Sequence, residues 1–270
     1  FGMSVGTSVA VINYISRIFA PIESLGMEIQ TIQSAMAGVK RIDAFLAEEE
    51  RTIPEERENE ARGDVVLSHV TFGYSDKLVL NDFSMEVKEG EQITLVGRTG
   101  AGKSTIFKLL LGLYKPESGK ITIGGVDVSD ITDSERRACI GCVEQHFSRV
   151  PGNVLDQITL SDPSITEEMA QNAAKLAGID ETIRSFPEGY ATVCTDGMFS
   201  QGEWQLLSIA RAAAADPAVL LLDEITANLD AETEARVLEA LRRASAGRTV
   251  LSISHRIYEN LGGRTIEIKA

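Results

Sequence analysis

The sequence predicts an α/β fold, a mixed sheet with an antiparallel β portion near its start, preceded by a long helix. Three observations predict it. From Asp64 onward, short β-branched and leucine-rich runs alternate with amphipathic runs of helical length. The strand run Ile93–Val96 passes through a glycine-rich turn directly into the helical run that starts at Lys103, the order of a parallel α/β unit. Ahead of both lies an apolar stretch whose periodicity is helical.

Taken in order, Phe1 to Ile22 is apolar, with Arg17 as its charged residue. A membrane-spanning helix needs about 20 apolar residues, and the uncharged part before Arg17 is shorter. No basic start or cleavage pattern marks it as a signal peptide. It reads as the tail of a membrane helix whose beginning is cut off, in a chain that starts at Phe1 and is expected to be a piece of a longer protein. Leu25, Ile29, Ile32, Met36, Val39, Ile42 and Leu46 continue at steps of three and four residues, which draws one seam along a helix. Such a seam packs against partner helices, here a membrane bundle extending into the cytoplasm. Residues 1–47 are therefore expected to be the end of a transmembrane domain. Residues 48–63 are dense in Glu and Arg and nearly free of large apolar groups, a solvated linker in which Pro54 opposes a continuous helix.

Residues 64–270 form the α/β domain. Val65–Val70, Phe83–Val87, Ile93–Val96, Ile121–Ile123, Val219–Leu222 and Val250–Ile253 read as strands. Lys103–Leu113, Glu167–Ala177, Glu203–Ala214 and Glu232–Arg243 read as helices. Strands first, then strand–helix alternation, place the antiparallel part early.

The 270 residues carry a net charge of −14, which argues against a nucleic-acid partner, since phosphate backbones reward Lys and Arg. Three cysteines supply no even disulfide framework, as expected of a reducing compartment. Cys139 and Cys142 sit in a run that reads as a strand. Residues three apart on a strand face opposite sides, so ordinary packing is the expectation and a metal or redox pair is not. His69 and His146 match no motif.

The chemistry is carried first by Gly97-Arg98-Thr99-Gly100-Ala101-Gly102-Lys103-Ser104-Thr105. Glycines let backbone N–H groups turn inward around phosphate oxygens, and a helix N-terminus adds partial positive charge. Lys103 reaches the β- and γ-phosphates, and the Ser104 hydroxyl joins a Mg²⁺ shell. Val219-Leu220-Leu221-Leu222-Asp223-Glu224 is the second element: four apolar residues of a central strand with two carboxylates at its carboxyl end, where α/β sheets bind ligands. Asp223 suits Mg²⁺, through water, and Glu224 suits polarising the water that attacks the γ-phosphate.

Phe199-Ser200-Gln201-Gly202-Glu203, followed by Gln205-Leu206-Leu207 and Ala210-Arg211-Ala212, makes a third element. With it, Asp64 to Ala270 resembles the nucleotide-binding domains of ATP-binding cassette (ABC) transporters. The resemblance implies the P-loop NTPase fold of ABC ATPases, with a mixed sheet core, an antiparallel β subdomain and a helical signature subdomain. The family's usual signature is Leu-Ser-Gly-Gly-Gln, so Phe199, Gln201 and Glu203 depart from it, and Trp204 stands where Arg is common. Ser200 and Gly202 are retained. By the same resemblance Tyr74 matches the aromatic that stacks on adenine, a contact that suits a π-face. Gln145 matches the residue that senses Mg²⁺ and the attacking water. Asn228-Leu229-Asp230 matches a loop touching the opposite subunit, and His255 matches the switch histidine on the γ-phosphate.

The implied site thus comprises Glu224, His255, Gln145 and Lys103 for catalysis. Tyr74, Gly97, Thr99, Gly100, Ala101, Gly102, Lys103, Ser104, Thr105 and Gln145 bind ATP, and Ser104, Gln145 and Asp223 serve Mg²⁺. Ser200 and Gly202 act in trans, completing the site of a second half-transporter that is either identical or a sibling. The N-terminal segment, through Tyr14, Pro21-Ile22, Ile29-Gln30, Ile32-Gln33 and Arg41-Ile42, resembles the last membrane helix of ABC exporters. An exporter half-transporter in the cell membrane, with its ATPase on the cytoplasmic side, is the implied protein. The segment His146–Asp156 resembles the region that receives the cytoplasmic loops of the membrane domain. A soluble ABC ATPase doing mechanical work in translation or DNA repair is the alternative. About a hundred residues separate Lys103 from Ser200, too few for the coiled coil of a repair ATPase.

Overall fold

A computed structural model describes residues 4–47, 62–74, 77–144, 147–223, 229–253 and 262–268. It divides into two units, Phe1–Ile53 and Pro54–Ala270. In the first, α1 runs from Val5 to Leu46, and its N-cap Ser4 accepts a hydrogen bond from the Thr7 amide at 3.2 Å. The helix continues through Pro21. Leu25, Ile29, Ile32, Met36, Val39 and Ile42 are each more than half exposed. The seam expected from the periodicity is present on the helix and has no partner among the described residues of this unit. Among the described residues, α1 is the helix long and apolar enough to cross a membrane.

In the second unit, β1 (Val65–Tyr74) and β2 (Lys77–Val87) are antiparallel neighbours. Beyond β1 lie β4 (Ser118–Ile123) and β5 (Val126–Asp127), giving a four-stranded sheet of order β2-β1-β4-β5. The second sheet has five parallel strands in the order β6-β7-β8-β3-β9, formed by β3 (Gln92–Val96), β6 (Ile140–Val143), β7 (Val219–Asp223), β8 (Thr249–Ile253) and β9 (Arg264–Glu267). The helices are α2 (Lys103–Leu110), α3 (Asp133–Cys139), α4 (Val154–Thr159), α5 (Glu167–Ala177), α6 (Asp180–Arg184), α7 (Gln201–Ala213) and α8 (Ala231–Ser245).

Two cores flank the parallel sheet. Successive residues of β7 feed them alternately: Leu220 and Leu222 pack with α4, α5, α7 and α8, whereas Val219 and Leu221 pack with α2 and the antiparallel sheet. A strand buried on both faces reads as an unbroken apolar run rather than an alternation, which is why Val219–Leu222 is legible as a central strand.

Three local readings are corrected. Cys139 ends helix α3 instead of lying on a strand, and only Cys142 is in β6. A reciprocal cap starts that helix: the Thr132 hydroxyl accepts from the Glu135 amide at 3.3 Å, and the Glu135 carboxylate accepts from the Thr132 amide at 3.0 Å. Both cysteines are free thiols, and no cluster of metal-binding side chains occurs among the described residues. Helix α2 stops at Leu110 rather than Leu113 because Gly112 follows in the left-handed region, φ 66°. Strand β2 begins at Lys77, well before Phe83. Its pairing slips where His69 and Asp82 both adopt φ 51°, a bulge that breaks the alternation on which a strand is recognised.

Candidate nucleotide site

Strand β3 is held between β8 and β9, which buries Ile93 and Leu95 and delivers Gly97 at the carboxyl edge of the sheet. Gly97 has φ 153°, and a Cβ there would lie 2.7 Å from the Ile268 carbonyl oxygen, so the chain can turn at this point only without a side chain. Gly102 caps α2 at φ 98° and makes no side-chain hydrogen bond to the helix. The first amides of α2 are thus left without a side-chain acceptor, the condition under which a helix end attracts an anion. The Lys103 ammonium donates to the Gly97 carbonyl at 2.8 Å and the Arg98 carbonyl at 3.0 Å, lying across the loop it belongs to. Arg98, Thr99, Gly100 and Ser104 are exposed, whereas Ala101 and Thr105 are buried against the core.

Tyr74 ends β1 beside this loop. Its hydroxyl lies 3.5 Å from Thr105 Oγ1. The ring meets Phe72 at 5.0 Å and Tyr114 at 5.3 Å between centroids, each nearly perpendicular, and the Lys108 ammonium lies 5.6 Å from its centroid. Tyr74 is only half-buried, so it belongs to an aromatic cluster and also faces outward.

Asp223 is the last residue of β7 and pairs with Ile253, while Thr94 of β3 pairs with Ser252. The register therefore brings Asp223 to the same edge as Gly97. Burial pushes the Cys142 thiol up to about 12, and the carboxylates of Glu144 and Asp223 add to the shift. Carboxylate and hydroxyl oxygens such as those of Asp223 and Ser104 are the hard donors Mg²⁺ takes, so the residues present fit that ion. Gln145, Glu224 and His255 lie outside the described residues. In sequence they follow closely on β6, β7 and β8.

Ser200 and Gly202 open α7. Ser200 is its N-cap, with φ −65° and ψ 165°, and is exposed. Its hydroxyl accepts from the Glu203 amide at 3.3 Å and donates to the Glu203 carboxylate at 2.8 Å. That carboxylate also accepts from the Ser200 amide at 2.8 Å. Gly202 is buried, and a Cβ there would collide with the Thr233 Cγ2 methyl of α8.

Phe199 and Trp204, two further departures from the usual signature, pack against aromatic partners. Phe199 is 4% exposed and meets Phe186 edge-on at 5.4 Å and Trp204 at 4.9 Å. Trp204 stacks on Phe147 at 5.0 Å, with Arg149 5.6 Å from its ring centroid. Arg211 lies 3.9 Å from the Phe147 centroid and donates to the carbonyls of Ser148 at 2.8 Å and Gln157 at 2.6 Å. Burial, and then Arg137 nearby, push its guanidinium down to about 10, opposed by Glu144. It remains a cation at neutral pH. Through Trp204 near its start and Arg211 near its end, these contacts tie α7 to the segment 147–157. No sequence periodicity announces them, because the partners come from three separate stretches of chain.

The ABC transporter family model matches residues 80–227. A Streptococcus pneumoniae protein named as an ABC transporter ATP-binding protein, exp8, is 37% identical over 95% of this chain and 45% of its own length. The heavy metal tolerance protein of Schizosaccharomyces pombe is 36% identical over 95% and 32%, respectively. A Bacillus subtilis protein named as a probable multidrug resistance ABC transporter ATP-binding/permease protein, YheH, is 34% identical over 94% and 38%. The solved structure of a bacterial Atm1-family ABC exporter with ATP bound aligns with TM-score 0.72 at 31% identity, covering 98% of this chain and 48% of that one. The chain spans less than half the length of these relatives. With a phosphate loop, an acidic strand end and a signature helix on one α/β framework, the chain belongs to the ABC transporter family and carries its ATP-binding domain.

Proposed function

We propose that this chain hydrolyses ATP with Mg²⁺ and that the hydrolysis drives export across a membrane. The observation that carries the reading is the convergence of Gly97 and Asp223 on one sheet edge, with the lysine-bearing loop opening directly into α2. Residues 1–47 are the end of a transmembrane domain, 48–63 a linker and 64–270 the ATPase. Backbone amides of Gly97, Thr99, Gly100, Ala101, Gly102 and Thr105 surround phosphate oxygens. Lys103 exchanges its two loop carbonyls for the β- and γ-phosphates, and Tyr74 offers a ring face to adenine. Bound through Ser104, Gln145 and Asp223, Mg²⁺ supplies charge neutralisation at the phosphates. Glu224 accepts a proton from the attacking water, and Gln145 and His255 hold that water and the γ-phosphate.

The loop covers one side of the triphosphate, and the other side needs a second copy or a sibling chain, whose Ser200 and Gly202 counterparts close it. Closing and reopening of that dimer, passed on through the segment 146–156, is a ligand-biased two-state change. A soluble mechanical ATPase is not favoured, since the relatives are named as transporter ATP-binding and permease proteins. Glu224→Gln keeps size and loses the base. ATP binding is expected to persist while turnover falls about 10²-fold or more, read by nucleotide titration and phosphate release. Wild-type turnover in this variant would remove Glu224 from the role.

A further inference from the structure

We infer that Glu203 restrains the signature end of α7, so that the nucleotide this chain covers in trans is gripped more weakly than a neutral residue at 203 would allow. The inference rests on the trans reading of Ser200 above. Three observations carry it. The single proton of the Ser200 hydroxyl is already engaged: it goes to the Glu203 carboxylate at 2.8 Å, while the oxygen accepts from the Glu203 amide at 3.3 Å. To donate to a phosphate it must first leave a charge-assisted hydrogen bond, stronger than a neutral one. The carboxylate also accepts from the Ser200 amide at 2.8 Å, so the anion that a helix N-terminus is charged to attract is already supplied by the chain. Ser200 is exposed, so an incoming triphosphate meets both the hydroxyl and the negative group behind it.

Glutamine at 203 would keep the geometry. Its carbonyl oxygen can accept from the Ser200 amide, and its amide can donate to the Ser200 oxygen, leaving the hydroxyl proton for phosphate. Glu203 is therefore a positioning residue, acting on nucleotide through Ser200 and through its charge.

The test is the ATP dependence of hydrolysis by the full-length transporter in liposomes, comparing wild type, E203Q and S200A. E203Q is expected to lower KM for ATP about tenfold at low salt with kcat changed less than about twofold. The KM gap from wild type should narrow as ionic strength rises, because salt screens the removed charge. A lost helix cap would produce neither effect, and the thermal midpoint of E203Q should match wild type. An unchanged or raised KM in E203Q, or a gap indifferent to salt, overturns the inference. S200A separates the two levels. If it impairs hydrolysis while E203Q leaves KM where it was, only the role of Glu203 falls. If S200A is indistinguishable from wild type, the trans contact itself is wrong, and the inference goes with it.

Discussion

Lys103 shows how one side chain serves two states. Its ammonium is satisfied by the Gly97 and Arg98 carbonyls, so it is held at the loop before any phosphate arrives, and little rotamer entropy remains to be lost on binding. Lys103→Ala removes a charged donor, and nucleotide affinity is expected to fall between about tenfold and a hundredfold, measured by titrating a fluorescent ATP analogue. Unaltered affinity would mean that Lys103 keeps its loop carbonyls when nucleotide binds. Cys142 is the opposite kind of residue, near the site yet chemically silent. Burial first, then the Glu144 and Asp223 charges, raise its thiol from 9.0 to about 12. The sign follows: the protonated thiol is favoured in the fold, so its contribution to stability is complete below pH 9.0 and is lost as pH climbs toward about 12. Iodoacetamide at pH 8.5 should leave Cys142 unlabelled in folded protein and label it in urea, read by peptide mass spectrometry. Prompt labelling of the folded protein would contradict this burial.

At the scale of elements, α7 is the organising piece. One side of it enters the core through Leu206, Leu207, Ile209 and Ala210. Its first turn meets α8 where Gly202 faces Thr233, and Trp204 and Arg211 reach across to the segment 147–157. Gly202 therefore has a packing reason to be glycine that is independent of any nucleotide. Gly202→Ala forces a methyl against the Thr233 side chain and is expected to cost about 1–3 kcal/mol of stability, measured by urea unfolding. Adding Thr233→Ser, which removes the obstructing methyl, should recover part of that loss. A Gly202→Ala protein as stable as wild type would show that α7 and α8 separate freely at this point. Trp204 has its place here too: where the family commonly has Arg, this chain bridges Phe147 and Phe199 with an aromatic face.

At the scale of the whole molecule, the parallel sheet acts as a common floor. Its carboxyl edge gathers the phosphate loop and Asp223, while the helical core on one side carries Ser200 about a hundred residues later in the chain. In the proposed mechanism a second domain completes this divided site, and the Glu224→Gln variant tests that at this scale. With ATP retained and not cleaved, it should accumulate the closed pair of domains, visible as a crosslink between Ser200→Cys on one chain and a cysteine placed in the partner's loop. The seam of α1, exposed in the described residues, suits the proposed transmembrane end, since exposed Ile and Leu side chains are favourably buried in lipid or against other helices.

The phosphate loop, the acidic end of β7 and the signature were legible because each is contiguous and its chemistry depends on spacing along the chain. The central strands were legible because burial on both faces leaves an unbroken apolar run. Other features escaped for physical reasons. The edge strand β9 is short and largely exposed, α4 and α6 are single turns or little more, and the β1–β2 bulge disrupts alternation. What the chain alone determined was the family and its α/β framework, since the glycine loop, the acidic strand end and the signature stand in order along the sequence. What only the tertiary structure decided was who touches whom. Gly202 meets Thr233, Trp204 meets Phe147 and Glu203 engages Ser200, because packing and hydrogen bonding act through space between groups whose order along the chain carries no record of their meeting.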